Sequence, residues 1–533
     1  MTGRKQSKSQ AEAWTRKIAA ALSKGQLPAM TADFESYLER QPEEIFNTLA
    51  VFAERILDQG DTDMLVHGSI QLLGMQLERI RYRSDRGFPE AVKITDAFQK
   101  ALAELAADGD LDSVALSMLA SALHHAGIPA SEELREAMLH QGDIDGDDID
   151  ETEIGDFAAM FGQVADQCEG DPFTFVAMIA QTGHAMPVGM RAELAAIHAG
   201  ADHPLMREAG VLALLDGEPA IRKAAATALL AHAAAISPVS LRRMIAIRNW
   251  RPEAERPAID AAIRAARLKG VECAAWPATL EATIVTSCVD GSGAQGIMIV
   301  SPEGRRKCLS SVLLKNGVRD AWTAPPDTPK SVDGTIKMAI RETGVRPVSR
   351  AYCDRVVRHG LHVGIAAGET PQVGLLQVAE AIGAEAWQPE ATDWRETLAT
   401  LLAELPPGTL DPETVAALIR TSHVWSDFGP IVESWFEDDQ EAVEMSDGPR
   451  KRRAKPTVAH VLASVIEPRR ERWARQFAWT ALWLREWPDA QTPGARWRKF
   501  AVLAHVLLDG HALTEIPLMG LIAGRTAMVL GEN

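Results

Sequence analysis

The chain has 533 residues, 46% of them apolar and 24% charged, globular proportions that exclude a collagen-like chain, wholesale disorder and a disulfide-built miniprotein. At roughly 150 residues per domain, several separate cores are expected. The 73 acidic and 55 basic residues leave a formal net charge of -18, a field that repels nucleic acid unless basic residues are gathered locally.

The five cysteines, Cys168, Cys273, Cys288, Cys308 and Cys353, form no CxxC pair. Neither a disulfide framework nor a zinc ribbon is expected, and a reducing, cytoplasmic setting fits best. The opening residues, MTGRKQSKSQAEAW, lack an apolar h-region, and the most apolar stretch, Ala224 to Ile236, ends after 13 residues. That is too short to span a membrane. Arginine outnumbers lysine and alanine is abundant, as expected of a bacterium with a GC-rich genome.

From the N-terminus the period is helical. Phe46, Leu49, Ala50, Ala53 and Ile56 share one face, and further helices are predicted near 10–23, 62–81, 88–107 and 111–126. Gly127 and Pro129 close the last of these, and Ser131 caps the next. His124 and His125 fall in a final helical turn, where the helix dipole favours them without any catalytic role. Residues 1–140 therefore read as a helical module, a bundle or the start of a helical array. Residues 141–156, QGDIDGDDIDETEIGD, hold eight carboxylates and no base, and read as a solvated acidic linker. As a calcium loop the segment fails: Asp143, Asp145 and Asp147 fit the first ligand positions, but Asp148 stands where glycine is required and Ile154 where glutamate is.

A short internal repeat follows. PLMREAGVLALL from Pro204 and PAIRKAAATALL from Pro219 share arginine at +3 (Arg207, Arg222), alanine at +5 and leucine at +10 and +11, at an offset of 15. Proline suits a first helical turn, whose N–H has no partner in any case, and small alanines let helices approach closely. Over about 157–270 this resembles HEAT or armadillo-type repeats, although an offset of 15 is one helix and turn and not a full two-helix repeat of roughly 40 residues. The resemblance implies stacked helices, an α-solenoid-like region at 157–275, presenting a groove to a protein partner. Arg207 and Arg222 are its candidate partner-binding residues, with inter-helix packing or capping as their structural alternative.

Between Thr283 and Leu314 the runs ATIVTSCV, GIMIV and KCLSSVLL alternate with DGSG (290–293) and SPEG (301–304), predicting a three-stranded antiparallel meander. It must pack on helices, expected at 331–342 and 348–359, within an α+β insert at 276–370. DGSG leads into a strand and opens no helix, so it reads as a hairpin turn and not as a phosphate loop. Cys353, His359 and His362 form the best metal-like spacing, with Cys288 or Cys308 as fourth ligand. Cys353 and His359 lie on different sides of a continuous helix, and Gly360 predicts an end just after His359, too late to bring them together. There is no G-x-S-x-G elbow, Walker lysine loop or H-E-x-x-H, and no cofactor is called for.

A helical module is expected at 371–448. Seven acids between Glu433 and Asp447 precede Arg450, Lys451, Arg452, Arg453 and Lys455, bounded by Pro449 and Pro456. This basic linker, 449–456, either serves phosphates or an acidic partner, together with Arg469, Arg470 and Arg472, or neutralises the neighbouring acids. In PRRERWARQFAWTALWLREW, the side chains of Trp473, Phe477, Trp479, Trp483, Leu484 and Trp487 fall within one helical arc of about 160°, the buried face of a C-terminal helical module at 457–533. Trp497, Phe500 and the run VLAHVLL complete that core. The expectation is a mainly α protein, a helical bundle plus solenoid-like repeats with a small β-meander insert. It would act as a non-catalytic protein-binding scaffold. The alternatives are a nucleic-acid-associated regulator using the basic run and a metal-dependent enzyme.

Overall fold

Capping chemistry places most helix starts. In the computed structural model, which describes residues 2–26, 28–141, 151–183, 186–425, 430–447, 456–492 and 494–531, Asp63, Asp112, Ser237, Thr328, Ser349, Asp393 and Thr457 each accept a backbone N–H of the first helical turn. Two compact units result, Met1–Ala209 and Gly210–Asn533.

The first unit is helical: α1 (Thr2–Leu22), α2 (Ala32–Arg40), α3 (Ile45–Gln59), α4 (Met64–Asp85), α5 (Pro89–Ala107), α6 (Ser113–His125), α7 (Glu132–Gln141), α8 (Glu151–Asp166), α9 (Pro172–Gly183) and α10 (Val188–Gly200). Helix α4 lies at its centre, burying Val66, Leu72, Leu73, Leu77 and Ile80. Helix α1 comes so near that a Cβ at Gly68 would stand 2.6 Å from the Thr15 carbonyl oxygen. Ile18, Phe34, Tyr37, Leu38 and Leu72 form one core cluster, and Phe161, Phe175, Leu194, Leu205 and Met206 lead a second. Residues 151–156 of the expected linker open α8. The Asp143, Asp145, Asp147 and Asp148 positions lie outside the described residues.

The chain continues through α11 (Pro204–Leu212), α12 (Pro219–Ala231), α13 (Pro238–Asn249) and α14 (Arg256–Leu268). Helices α12 and α13 both pack against α14, burying Ile221, Ala225 and Leu229, then Leu241, Met244 and Ile247, then Ile259, Ala262, Ile263 and Ala266.

The sheet has five antiparallel strands where three were expected. β1 (Thr283–Thr286), β2 (Gln295–Glu303), β3 (Arg306–Leu314), β4 (Val318–Thr323) and β5 (Arg346–Pro347) stand in the order β4-β3-β2-β1-β5. Val285 faces Met298, which faces Ser311, which faces Trp322. Helix α15 (Pro329–Thr343) lays Val332 and Ile336 against Val285 and Val300. Helix α16 is longer than its sequence indicated. It runs Arg350–Ala366, straight through Gly360. A Cβ on Gly360 would stand 3.0 Å from Leu314 Cδ2, and one on Gly364 3.3 Å from Gly317 Cα. These glycines provide room for the β3–β4 turn and do not stop the helix.

Helix α17 (Val373–Ile382) also seats on β4, since a Cβ on Gly374 would overlap the Ala321 carbonyl. The remaining helices are α18 (Trp394–Ala403), α19 (Pro412–Ile419), α20 (Gln440–Asp447), α21 (Val458–Val461), α22 (Arg470–Leu484), α23 (Arg496–Leu508) and α24 (Pro517–Leu530). Helix α22 bears most of the aromatic face read in the sequence, but it ends at Leu484, so Trp487 lies beyond it, and Trp479 is half-buried. Trp473, Phe477, Trp483 and Leu484 are fully buried, Phe477 packs on Trp435 and Phe500, and the Trp483 indole N–H donates to Thr286 Oγ1 at 2.9 Å. Among the described residues the protein is thus mainly helical with a small antiparallel sheet. Among the described residues no helix is long and apolar enough to cross a membrane.

Candidate functional site

The repeat arginines perform the same act twice. Arg207 Nη1 donates to the carbonyls of Ala201 and Asp202, both at 2.8 Å, and Arg222 Nη1 to those of Asp216 and Gly217 at 2.8 and 2.7 Å. Each guanidinium ties its helix to the turn six and five residues before it, satisfying carbonyls that the preceding helix leaves unpaired. Arg222 adds a two-pronged pair with Glu255 at 3.0 and 2.7 Å. Glu255 also accepts from the fully buried Arg251, which reaches Thr370 Oγ1 at 2.6 Å. Burial raises the Glu255 carboxyl most strongly of any single influence, but the two arginines together outweigh it and hold the group below its ordinary range.

A second anchor joins α13 to α17. Arg242 and Arg243 converge on Glu380, Arg242 at 2.7 Å and Arg243 at 2.9 and 2.7 Å. Burial again pushes the Glu380 carboxyl up, and the paired guanidinia again prevail, leaving it lowered. No signal in the sequence marked Glu255 or Glu380. Glu255 lies 33 residues from Arg222 and Glu380 137 from Arg243, and only the fold brings them together.

The metal-like residues do not assemble. Among the described residues no three His, Cys, Asp or Glu side chains are placed to hold a metal ion. Burial pushes the Cys353 thiol up to about 12, with Asp354 adding to it. His359 accepts from the Thr392 backbone N–H at 3.2 Å through Nδ1 and lies 5.2 Å from the Trp479 ring. Burial, then His362 and Arg475, lower its pKa. Cys288 is buried against Thr480 and Cys308 donates to Glu303, each thiol raised to about 12 chiefly by burial.

Arg450, Lys451, Arg452, Arg453 and Lys455 lie outside the described residues. The arginines that followed them in the nucleic-acid reading are engaged internally. Arg469, 8% exposed, bonds Glu437, Asp439 and Glu441 at 2.6 to 2.9 Å. Arg470 pairs with Glu467 and reaches the His511 carbonyl. Arg472 joins Glu437 and the Gly291 carbonyl. The DGSG segment is a hairpin turn, with Asp290 Oδ1 accepting the N–H groups of Ser292 and Ala294, each at 2.8 Å. Gln476 and Trp435 grip it through the Val289 carbonyl at 2.7 and 3.1 Å.

An open, polar cleft of about 610 Å³ lies between α16, the segment 390–393, α18 and the end of α22. Its frame is rigid: the Trp387 indole N–H donates to Asp354 at 2.7 Å, the Trp250 indole to the Trp387 carbonyl at 2.7 Å, and the Glu390 N–H to the Arg358 carbonyl at 3.1 Å. Arg355, Arg358 and Arg485 line it opposite Glu390, Asp393 and Glu396. The hydroxyls of Thr397 and Thr400 donate to carbonyls of their own helix at 2.8 and 2.9 Å, and Asp393 caps α18.

The chain is similar to the Y4lR proteins. Residues 187–270 match the family described as the Y4lR second domain, and residues 395–530 the family described as the Y4lR C-terminal helical domain. The uncharacterized protein y4lR of Sinorhizobium fredii is 26% identical over 469 residues, 85% of this chain and 87% of that protein. No solved structure matches the chain. The second-domain match contains Arg207, Arg222, Arg242, Arg243, Arg251 and Glu255, and the C-terminal match contains Arg469 with its carboxylates.

Proposed function

We propose that this protein is a non-catalytic, protein-binding scaffold whose solenoid-like helices, α12 to α14, present the binding surface. The observation that carries this reading is the repeated arginine lock, Arg207 on residues 201 and 202 and Arg222 on residues 216 and 217. An identical device at a fixed offset builds successive helix-and-turn units alike, as repeat architectures do. Arg222, 7% exposed, stiffens its helices from within, so the partner meets other side chains. Leu230 near the end of α12 and Leu268 at the end of α14, 43% and 87% exposed, are apolar groups available to it.

The test is affinity purification at native expression followed by mass spectrometry, with and without nuclease. A specific protein partner is expected to survive nuclease and to be lost from Leu230→Asp/Leu268→Asp, which alters only exposed positions. Recovery of nucleic acid alone, abolished by Arg452→Glu/Arg453→Glu, would replace the scaffold by the nucleic-acid reading.

A further inference from the structure

The cleft between α16 and α18 is separate from the helical surface just proposed, and its charges select a ligand class. Arg355 and Arg358 stand three residues apart on α16, hence on one face. Among the described residues Arg355 is exposed and makes no hydrogen bond or ion pair. Arg358 meets Glu390 through a single contact of 3.3 Å between side chains 41% and 68% exposed, a solvent-screened pair that yields readily to a better acceptor. Its Nε is buried without a hydrogen-bond partner. Arg485, whose side chain is 39% exposed, closes the far wall while paired to Glu404 at 2.7 Å.

The acids of the lining are mostly committed. Asp354 accepts from Arg350 and Trp387, Asp393 caps α18, and Glu390 holds Arg358. Glu396 alone extends its carboxylate without a partner among the described residues. A bare inorganic anion therefore meets a lining with more carboxylates than guanidinia. A peptide offsets that excess where a bare anion has no means to, because its backbone N–H groups can donate to Glu396 while its acidic side chains reach the arginines.

We propose that this cleft binds a short acidic peptide segment of another protein, with Arg355 and Arg358 gripping its carboxylates and Glu396 selecting for backbone donors or a flanking cation. The probe is a fluorescein-labelled hexaglutamate peptide, followed by anisotropy on the full chain at low salt. Binding is expected to weaken about tenfold or more in Arg355→Glu/Arg358→Glu and to fall with salt. Glu396→Lys should strengthen it several-fold, a gain that no folding defect can imitate. Millimolar inorganic phosphate should leave the peptide bound. The assignment is overturned if the native chain does not bind the peptide, if both variants bind as the native chain does, or if phosphate displaces the peptide. Leu230→Asp/Leu268→Asp should bind the peptide normally, so loss of the helical-surface reading and loss of this one are told apart.

Discussion

His198 shows how a single side chain writes a pH dependence into a fold. It is 4% exposed, with Phe161 at 5.2 Å edge-on and Phe175 at 5.8 Å, and its Nε2 has no hydrogen-bond partner. Burial lowers its pKa from 6.5 to about 4, because the apolar cluster cannot solvate the imidazolium. The unfolded chain binds the proton first, so stability contributed by the neutral ring is complete above pH 6.5 and lost as pH falls from there to about 4. Melting of the native chain should fall across that window, and His198→Phe should flatten the fall. An unchanged slope in the variant would reject this cause. Arg469 offers the complementary case. It is buried against Glu437, itself 0% exposed, and Arg469→Ala leaves that carboxylate with Arg472 as its remaining guanidinium and takes from Asp439 and Glu441 the cation they share. A loss of about 1.5–3 kcal/mol is expected by denaturant unfolding at neutral pH, and Arg469→Lys should recover only part of it, since an ammonium cannot serve three carboxylates from one plane.

At the scale of the element, Gly291 is the point where the hairpin meets the C-terminal helices. Its N–H donates to Ser434 Oγ at 3.0 Å, and a Cβ there would overlap the Ser434 carbonyl. Gly291→Ala should therefore cost about 1–3 kcal/mol by forcing the turn away, whereas Gly293→Ala meets no neighbour within 4 Å and is penalised only through its φ of +85°. Thermal melts of the two variants separate contact from backbone strain. Equal losses would mean that the Ser434 contact carries no energy. This element also marks what a sequence can tell. DGSG declared itself a turn through its own chemistry, and the helices declared themselves through caps and period. β4 did not, because VRDAWT places charges inside a short edge strand, and β5 is only two residues long. Gly360 misled for a related reason. A glycine that admits a neighbouring chain and one that ends a helix look alike until the neighbour is known.

For the whole molecule, the local signals and the long-range ones divide in the same way. The aromatic face of α22 and the repeat arginines were legible because each depends on spacing along one helix. The carboxylate partners of the arginines, Glu255 for Arg222, Glu380 for Arg242 and Arg243, and Glu437 for Arg469, are set by tertiary placement. The cleft joins side chains from residue 351 to 485 and has no linear signature at all. The two units also make independent unfolding an expectation, since neither single-residue effect argued above crosses from one to the other: His198 and its rings lie in Met1–Ala209, Arg469 and its carboxylates in Gly210–Asn533. Calorimetry should resolve two transitions. Acidification from pH 7 towards 4 should lower one of them through His198, and Arg469→Ala should lower the other at constant pH. A single transition moved by both changes would show that the two units fold as one cooperative body.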